Sequence, residues 1–265
     1  MTKKKTTKIQ IPDKPMVFLT KWDQLSPNYF IAVWADGTLS LFDSESEKEM
    51  QTFDKQSAGI SSLVWIKSIP GGFVTSNEKI AAIKLWTVSS RTPLKTIKAG
   101  YSGILKMMAL PTGNKIMKEG LLISFKNSSV GLLDFEKKKM EFMSESTHAE
   151  TVFDIQFSRV NKDILASGSY DGQLKVWNVN KMTCLVTLVN PNIEKKINPV
   201  YGIAWSPINN ELVTVHSSGE VLLWDWEKNK LLSLVKPCNG QAIFRVDWNI
   251  LRPELIASGS TEGFA

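Results

Sequence analysis

The sequence predicts an all-β fold built from repeated four-stranded antiparallel units. The residue that closes the first strand of each unit recurs about every 43 to 48 residues and is usually aromatic. These positions are Trp22, Trp65, Ala109, Phe157, Trp205 and Trp248. The ends of the third strands repeat with the same period, at Phe42, Trp86, Leu133, Trp177 and Trp224. A unit of this kind cannot bury its own faces, so its recurrence indicates that the units stack.

Each unit shows strand patterns bounded by turn residues. Apolar residues alternate or run continuously over short stretches, and no segment shows a long helical stripe. Asp36-Gly37, Asp171-Gly172 and Ser218-Gly219 stand between the second and third strands, where tight hairpins require such residues. Repeated antiparallel units of this length are typical of β-propeller blades.

Composition places the chain among ordinary globular proteins with a slight basic excess. Its 265 residues are 43% hydrophobic and 22% charged, and the formal net charge is +6. Such values predict one large domain with a substantial core. The excess charge lies in short runs, Lys3–Lys5, Lys137–Lys139 and Lys195–Lys196. We interpret these runs as solvated loops in preference to a nucleic-acid or lipid patch.

The termini, cysteines and hydropathy predict an intracellular protein without membrane insertion. The N-terminal segment lacks the apolar core of a signal peptide. No apolar run approaches the ~20 residues of a membrane span. Cys184 and Cys238 give neither a disulfide framework nor metal-ligand spacing. A cytoplasmic location is the first expectation, and a ciliary or nuclear one stays open.

The fourth unit carries a distinctive set of polar and aromatic residues, His148, Ser167, Asp171 and Trp177. With these residues the chain resembles the WD-repeat (WD40) β-propellers. The resemblance implies that the four side chains form a buried, hydrogen-bonded structural tetrad. The other units depart from the pattern. Their matching or replacing residues are Ala32, Asp36 and Phe42 in the first unit, Thr214, Ser218 and Trp224 in the fifth, and Ser258 and Glu262 in the sixth.

The predicted organisation is a single propeller domain over 1–265, with about five complete blades, a half blade and an incomplete ring. The predicted blades are 16–58, 59–100, 101–147, 148–194, 195–238 and a partial 239–265 that lacks its third and fourth strands. Residues 1–15 form a basic segment in which Ile9–Ile11 could add a closing strand. Either the chain is a fragment of a longer protein, which we favour, or the ring is small and imperfectly closed. The order of the blades is similar to an interior part of a larger family member with two propellers and a helical region.

Catalysis finds little support in the sequence. His148, Asp171 and Ser167 could form a nucleophile triad, but the blade pattern explains them as structural. His216 falls within a second strand. Metal-ligand clusters and phosphate-binding loops are not found in the sequence. We therefore predict no enzyme activity, no cofactor, no bound metal and no small-molecule substrate.

The predicted function is that of a protein-protein interaction scaffold. By resemblance, the partner-binding face is the one where the loops that enter the first strands converge. The residues four positions before each first-strand end should point toward this face, and Tyr170 adds to them. The predicted partner-binding residues are Phe153, Tyr170, Tyr201, Phe244, Leu105 and Phe18, while Ser61 occupies the same position in the second unit. Aromatic side chains at such positions are favoured interface anchors, although some could instead pack into the central channel. The alternative is RNA or other nucleic-acid binding through the basic loops, which lack interleaved aromatics.

Overall fold

The computed structural model describes residues 14–100, 102–111, 119–135, 137–143, 147–192, 197–238, 240–260 and 263–264. Within these residues every regular element is a β-strand, and the strands form five four-stranded antiparallel sheets and one three-stranded sheet. The all-β class and the four-stranded unit are therefore confirmed. The closing strand expected at Ile9–Ile11 lies outside the described residues.

The chain divides into two compact units, and the first, residues 1–104, holds two sheets. The first sheet comprises β1 (Val17–Trp22), β2 (Tyr29–Trp34), β3 (Leu39–Asp43) and β4 (Lys48–Phe53), and the second comprises β5 (Ile60–Ile66), β6 (Gly72–Asn77), β7 (Ala82–Thr87) and β8 (Lys95–Lys98). The facing sides of the two sheets form one core, in which Ile31 and Phe53 of the first sheet meet Leu63 and Phe73 of the second. Alternation along the strands places these apolar residues on one side of each sheet.

The second unit, residues 105–265, holds the other four sheets, the first of which begins one residue earlier. The third sheet of the chain comprises β9 (Ile104–Ala109), β10 (Gly120–Phe125), β11 (Val130–Asp134) and β12 (Lys139–Phe142), and the fourth comprises β13 (Val152–Phe157), β14 (Ile164–Ser169), β15 (Gln173–Asn178) and β16 (Thr183–Val189). The fifth sheet comprises β17 (Val200–Trp205), β18 (Glu211–His216), β19 (Val221–Asp225) and β20 (Lys230–Val235). The sixth comprises β21 (Ile243–Trp248), β22 (Ile256–Ser260) and β23 (Gly263–Phe264). The prediction that the last sheet lacks a third strand was wrong, because β23 pairs with β22.

Apolar faces hold neighbouring sheets of the second unit together. Leu122 and Leu132 of the third sheet share a core with Leu165 and Trp177 of the fourth. The opposite face of the fourth sheet packs on the fifth, around the fully buried Trp205. Burying one such large apolar side chain stabilises the fold by roughly 1.5–3 kcal/mol. Because both faces of the fourth sheet are covered, β14 is buried at every residue, which explains its continuous run of apolar and small residues.

A buried carboxylate joins the first strands of three sheets in this unit. Asp154 of β13 forms an ion pair with Lys106 of β9. Its other oxygen accepts a hydrogen bond of 2.9 Å from the backbone N–H of Ile203 in β17. Asp154 is buried, and burying a charge is costly unless it is paired and hydrogen-bonded. The three contacting groups lie nearly one repeat apart in sequence, so they come together only when the sheets stack.

The turns between second and third strands depend on glycine. Gly37, Gly172 and Gly219 all have positive φ, between 76° and 88°. A Cβ on Gly37 would lie 2.4 Å from the carbonyl oxygen of Gln56, so a side chain cannot be accommodated there. Next to it, Asp36 accepts hydrogen bonds of 3.0 Å from the backbone and side chain of Thr38. The ion pair with Lys55, together with these bonds, lowers the pKa of Asp36 to about 2.

Candidate functional site

The polar residues of the fourth sheet form one continuous chain of hydrogen bonds. His148 Nδ1 lies 3.0 Å from Asp171 Oδ2, and His148 Nε2 lies 2.7 Å from Ser167 Oγ. The indole N–H of Trp177 donates to Ser167 Oγ over 2.8 Å. A carboxylate only accepts, so Nδ1 carries the ring proton, and Nε2 accepts the hydroxyl proton of Ser167. All the polar atoms of this buried set thus have partners, as burial requires.

Asp171 also fixes the turn that carries Tyr170. Its carboxylate accepts the backbone N–H groups of Ala149 at 3.0 Å and Gln173 at 2.9 Å. Burial alone would raise the pKa of Asp171, but the hydrogen bond from His148, the charge of that ring when it is protonated, and the two N–H donors hold the pKa below its ordinary value. The backbone N–H of Tyr170 donates to the carbonyl of Thr151 over 2.8 Å. The set therefore holds the chain segment before β13 against the turn between β14 and β15.

Shorter versions of this chain of hydrogen bonds occur in other sheets. In the fifth sheet, Trp224 donates to Thr214 over 3.0 Å, and Thr214 Oγ1 lies 2.9 Å from His216 Nε2. His216 Nδ1 then donates to the carbonyl of Asn198 over 3.2 Å, and burial lowers the pKa of His216. Sequence comparison with the family pattern missed this role, because His216 lies in β18 and not before the first strand. The separation of ten residues between hydroxyl and Trp, shared with Ser167 and Trp177, was the usable signal.

The second sheet of the first unit contains a related pair that the sequence reading also missed. Trp86 donates to Thr75 Oγ1 over 3.0 Å, and both side chains are buried. Asn77 replaces the histidine and donates to the carbonyl of Ala58 over 3.2 Å. A hydroxyl residue in the second strand and a Trp at the end of the third are therefore the recurring core of the pattern in these sheets.

The third sheet supplies a matched test of these hydrogen bonds. Ser124 is as fully buried as Ser167, but among the described residues its hydroxyl has no hydrogen-bond partner. We expect Ser167→Ala to lower the free energy of unfolding by about 2 kcal/mol, because it leaves the Trp177 N–H and a His148 nitrogen without partners. We expect Ser124→Ala to be neutral or to raise it slightly, since it removes a buried group that pairs with nothing. Urea unfolding of both variants measures the difference, and equal losses would contradict it.

The residues four positions before the ends of the first strands lie at β-bulges in several sheets. The register between first and second strands shifts between Val152 and Asp154, so Phe153 is the extra residue. The same shift leaves Tyr201 and Phe244 unpaired in β17 and β21. In the first unit it recurs at Phe18 and Ser61. A bulge re-aims one side chain while the rest of the strand keeps its alternation.

Four of the predicted residues form a continuous row of aromatic contacts in the second unit, which we call the aromatic ladder: Tyr170, Phe153, Tyr201 and Phe244. The ring centroids of Tyr170 and Phe153 are 6.2 Å apart, those of Phe153 and Tyr201 are 5.1 Å apart, and those of Tyr201 and Phe244 are 5.0 Å apart. The two ends are 46% and 43% exposed, and the inner two rings are half-buried. The ladder thus presents a preformed aromatic surface that crosses three sheets.

The remaining predicted residues do not join this row in the same way. Leu105 is half-buried in β9 and contributes no ring. Phe18 is exposed in β1 of the first unit. Ser61 donates to the backbone carbonyl of Ile104, so its hydroxyl proton is already used. The geometry singles out the aromatic ladder among the predicted positions.

Neighbouring carboxylates partly neutralise the run Lys137–Lys139, which lies within the described residues. Lys137 pairs with Asp134 at 3.3 Å, and Lys139 pairs with Glu141 at 2.9 Å. The runs at Lys3–Lys5 and Lys195–Lys196 lie outside the described residues. The described part of the chain contains no cluster of three or more His, Cys, Asp or Glu residues that could hold a metal ion. The same residues include no helix with the length and apolar character needed to cross a membrane.

Comparison with known proteins finds similarity to WD-repeat proteins. The profile described as the anaphase-promoting complex subunit 4 WD40 domain matches residues 155–250, from β13 to just beyond β21. Similar curated proteins also include WD-repeat proteins. Together these matches support a WD-repeat family for the chain. The chain has the WD40-type β-propeller fold, and its five four-stranded sheets and one shorter sheet agree with the predicted number of blades.

The chain spans only a small part of the curated relatives that it matches. Coronin-7 of Rattus norvegicus is 30% identical over 78 residues, which cover 29% of this chain and 8% of the relative. WD repeat and HMG-box DNA-binding protein 1 of Xenopus laevis is 25% identical over 254 residues, which cover 90% of this chain and 20% of the relative. A chain in the crystal structure of the mitotic checkpoint complex superposes with a TM-score of 0.76 at 15% identity, covering 92% of this chain and 72% of that one. The last likeness concerns the fold alone.

Proposed function

We propose that this WD-repeat chain is a non-catalytic scaffold that docks a partner protein or peptide on the aromatic ladder. Propellers of this family typically act as protein-interaction scaffolds and are generally not enzymes. The observation that carries the proposal is the unbroken row of ring contacts from Tyr170 to Phe244. Its members come from three different sheets, and three of them lie at the bulges of their first strands.

The ladder has the physical properties of an interface anchor. Tyrosine and phenylalanine bury large areas on binding and lose little rotamer freedom, and contact with neighbouring rings restricts them further. The hydroxyl groups of Tyr170 and Tyr201 add polar contacts that a partner backbone can satisfy. The tetrad of the fourth sheet fixes the turn beneath Tyr170, so the surface is rigid before the partner arrives.

The test is a double substitution within the ladder. We expect Tyr201→Ala with Phe244→Ala to reduce partner capture from a cell extract by at least about tenfold, because it removes two adjacent anchors. Thermal stability should change little, since Phe244 is exposed and Tyr201 is only half-buried. Quantitative mass spectrometry of the captured proteins, set beside thermal melts, makes both measurements.

A matched control lies in the loop that follows β21, the strand of Phe244. Ile250 and Leu251 are exposed apolar residues outside the ladder, and their replacement by Ala should leave capture unchanged. Equal recovery of every partner by the ladder variant and the wild type would reject this surface. Capture that disappears on nuclease treatment and falls steeply with salt would instead support the nucleic-acid alternative.

A further inference from the structure

A second surface lies in the first unit, in an open groove of about 490 Å³ between its two sheets. Its floor is apolar, with Trp65 and Leu41 buried at the base. Met50 stands at its edge and is 54% exposed. The volume falls within the range of about 300–1,000 Å³ that is common for ligand pockets, which are mostly apolar with a few polar groups. Asp23, Ser26 and Gln51 supply such polar groups here.

Backbone and side-chain hydrogen bonds keep the groove open. The Trp65 indole N–H donates to the carbonyl of Lys21 over 3.2 Å and so fixes the ring across the two sheets. On the other side, Gln51 donates to the carbonyl of Ser90 over 3.3 Å. Both bonds connect one sheet with the other, so they fix the spacing and orientation of the two walls. The groove is therefore a formed feature of the unit.

Carboxylates lie in and beside the groove: Asp23 lines it, and Asp43 and Glu45 belong to a neighbouring turn. Residues 22–54 contain seven acidic side chains and one basic side chain, Lys48, and of the seven Asp36 and Glu49 pair with Lys55 and Lys14. The turn that carries Asp43 and Glu45 meets the loop after Asp23 through the Ser44 N–H, which donates to the Asn28 carbonyl over 2.8 Å. Hydrogen bonds from Ser46 and the Glu45 N–H lower the pKa of Asp43, which keeps it ionised. Among the described residues, no cation pairs with Asp23, Asp43 or Glu45.

We propose that this groove docks a short partner segment that combines leucine-like apolar side chains with flanking arginine or lysine. The apolar side chains would cover Trp65, Leu41 and Met50, a methionine whose flexible thioether adapts to different shapes. The basic side chains would face the Asp23 and Asp43 carboxylates, which selects against acidic segments by charge repulsion. This site lies in the first unit, and its occupancy is independent of the aromatic ladder.

Three labelled peptides test the proposal by fluorescence polarisation: Gly-Ser-Arg-Leu-Leu-Arg-Ser-Gly, a version with Glu in place of Arg, and a version with Ala in place of Leu. We expect measurable binding of the first peptide and at least about tenfold weaker binding of the other two. The second peptide lacks the basic side chains, and the third lacks the large apolar side chains. Failure of the first peptide to bind, or equal binding of all three, would overturn the proposal.

Variants locate the binding site. Met50→Ser, and separately Asp43→Asn with Glu45→Gln, should weaken the first peptide by at least about fivefold. Met16→Ser is the control, since Met16 is 74% exposed and does not line the groove.

In a chain with ¹³C-labelled methionine methyl groups, the peptide should shift the Met50 signal, which is assigned from its loss in Met50→Ser. An unshifted Met50 signal, or full affinity in the Met50 variant, would refute the assignment. The Tyr201→Ala, Phe244→Ala variant should bind this peptide normally, which separates the two surfaces.

Discussion

Replacing His148 with Ala is expected to lower the free energy of unfolding by roughly 3 kcal/mol, because it combines a cavity with broken buried hydrogen bonds. The substitution leaves Ser167 and Asp171, both buried, without the imidazole that bridges them. Urea or thermal unfolding of the purified chain measures the loss. A loss below about 1 kcal/mol would show that the set is not a structural brace.

The same substitution should change how much folding stability the chain loses as the pH falls. The pKa of Asp171 is lower in the folded chain than its ordinary value, so the ionised carboxylate stabilises the fold above the unfolded-state pKa of about 4. That stabilisation is lost as the pH falls through the lowered pKa. Removing His148 removes part of the cause, so the variant should lose less stability on acidification than the wild type. Equal acid sensitivity would contradict this account.

Replacing Asp154 with Ala is expected to cost a similar amount, roughly 3 kcal/mol, for a different reason. The change leaves the Ile203 N–H buried without an acceptor and removes the partner of Lys106. The carboxylate joins three sheets, so its loss should also weaken their mutual packing. Hydrogen exchange of the Ile203 amide should therefore become faster together with the fall in unfolding free energy.

Asp247→Ala is the control for this prediction. Asp247 also lies in a first strand, but its side chain is 81% exposed and pairs with Arg159 at 3.4 Å. Exposed ion pairs contribute about 0–1 kcal/mol, so we expect a change within that range. A loss equal to that of Asp154→Ala would mean that burial of the carboxylate is not the cause.

The features that the sequence predicted depend on contacts between residues close in the chain. The alternation of apolar residues and the glycines with positive φ between second and third strands are local requirements. Ser167 and Trp177 are only ten residues apart in paired strands, and a known pattern was enough to place them on one sheet. The same pattern missed Thr75 with Trp86 and the role of His216, because their polar partners are contributed from different positions in the chain.

The number and kind of sheets follow from the sequence by itself, since a period of about 43 to 48 residues and an alternating strand pattern leave few other ways to bury the apolar faces. The sequence also placed candidate binding residues at one equivalent position of each unit, and four of the six are aromatic. Only the tertiary structure brought Phe153, Tyr201 and Phe244 into contact, joined Lys106, Asp154 and Ile203, and opened the groove beside Trp65. The physical reason is that these contacts connect residues almost a full repeat apart. Their geometry depends on how bulged strands of stacked sheets face each other, which no local spacing specifies.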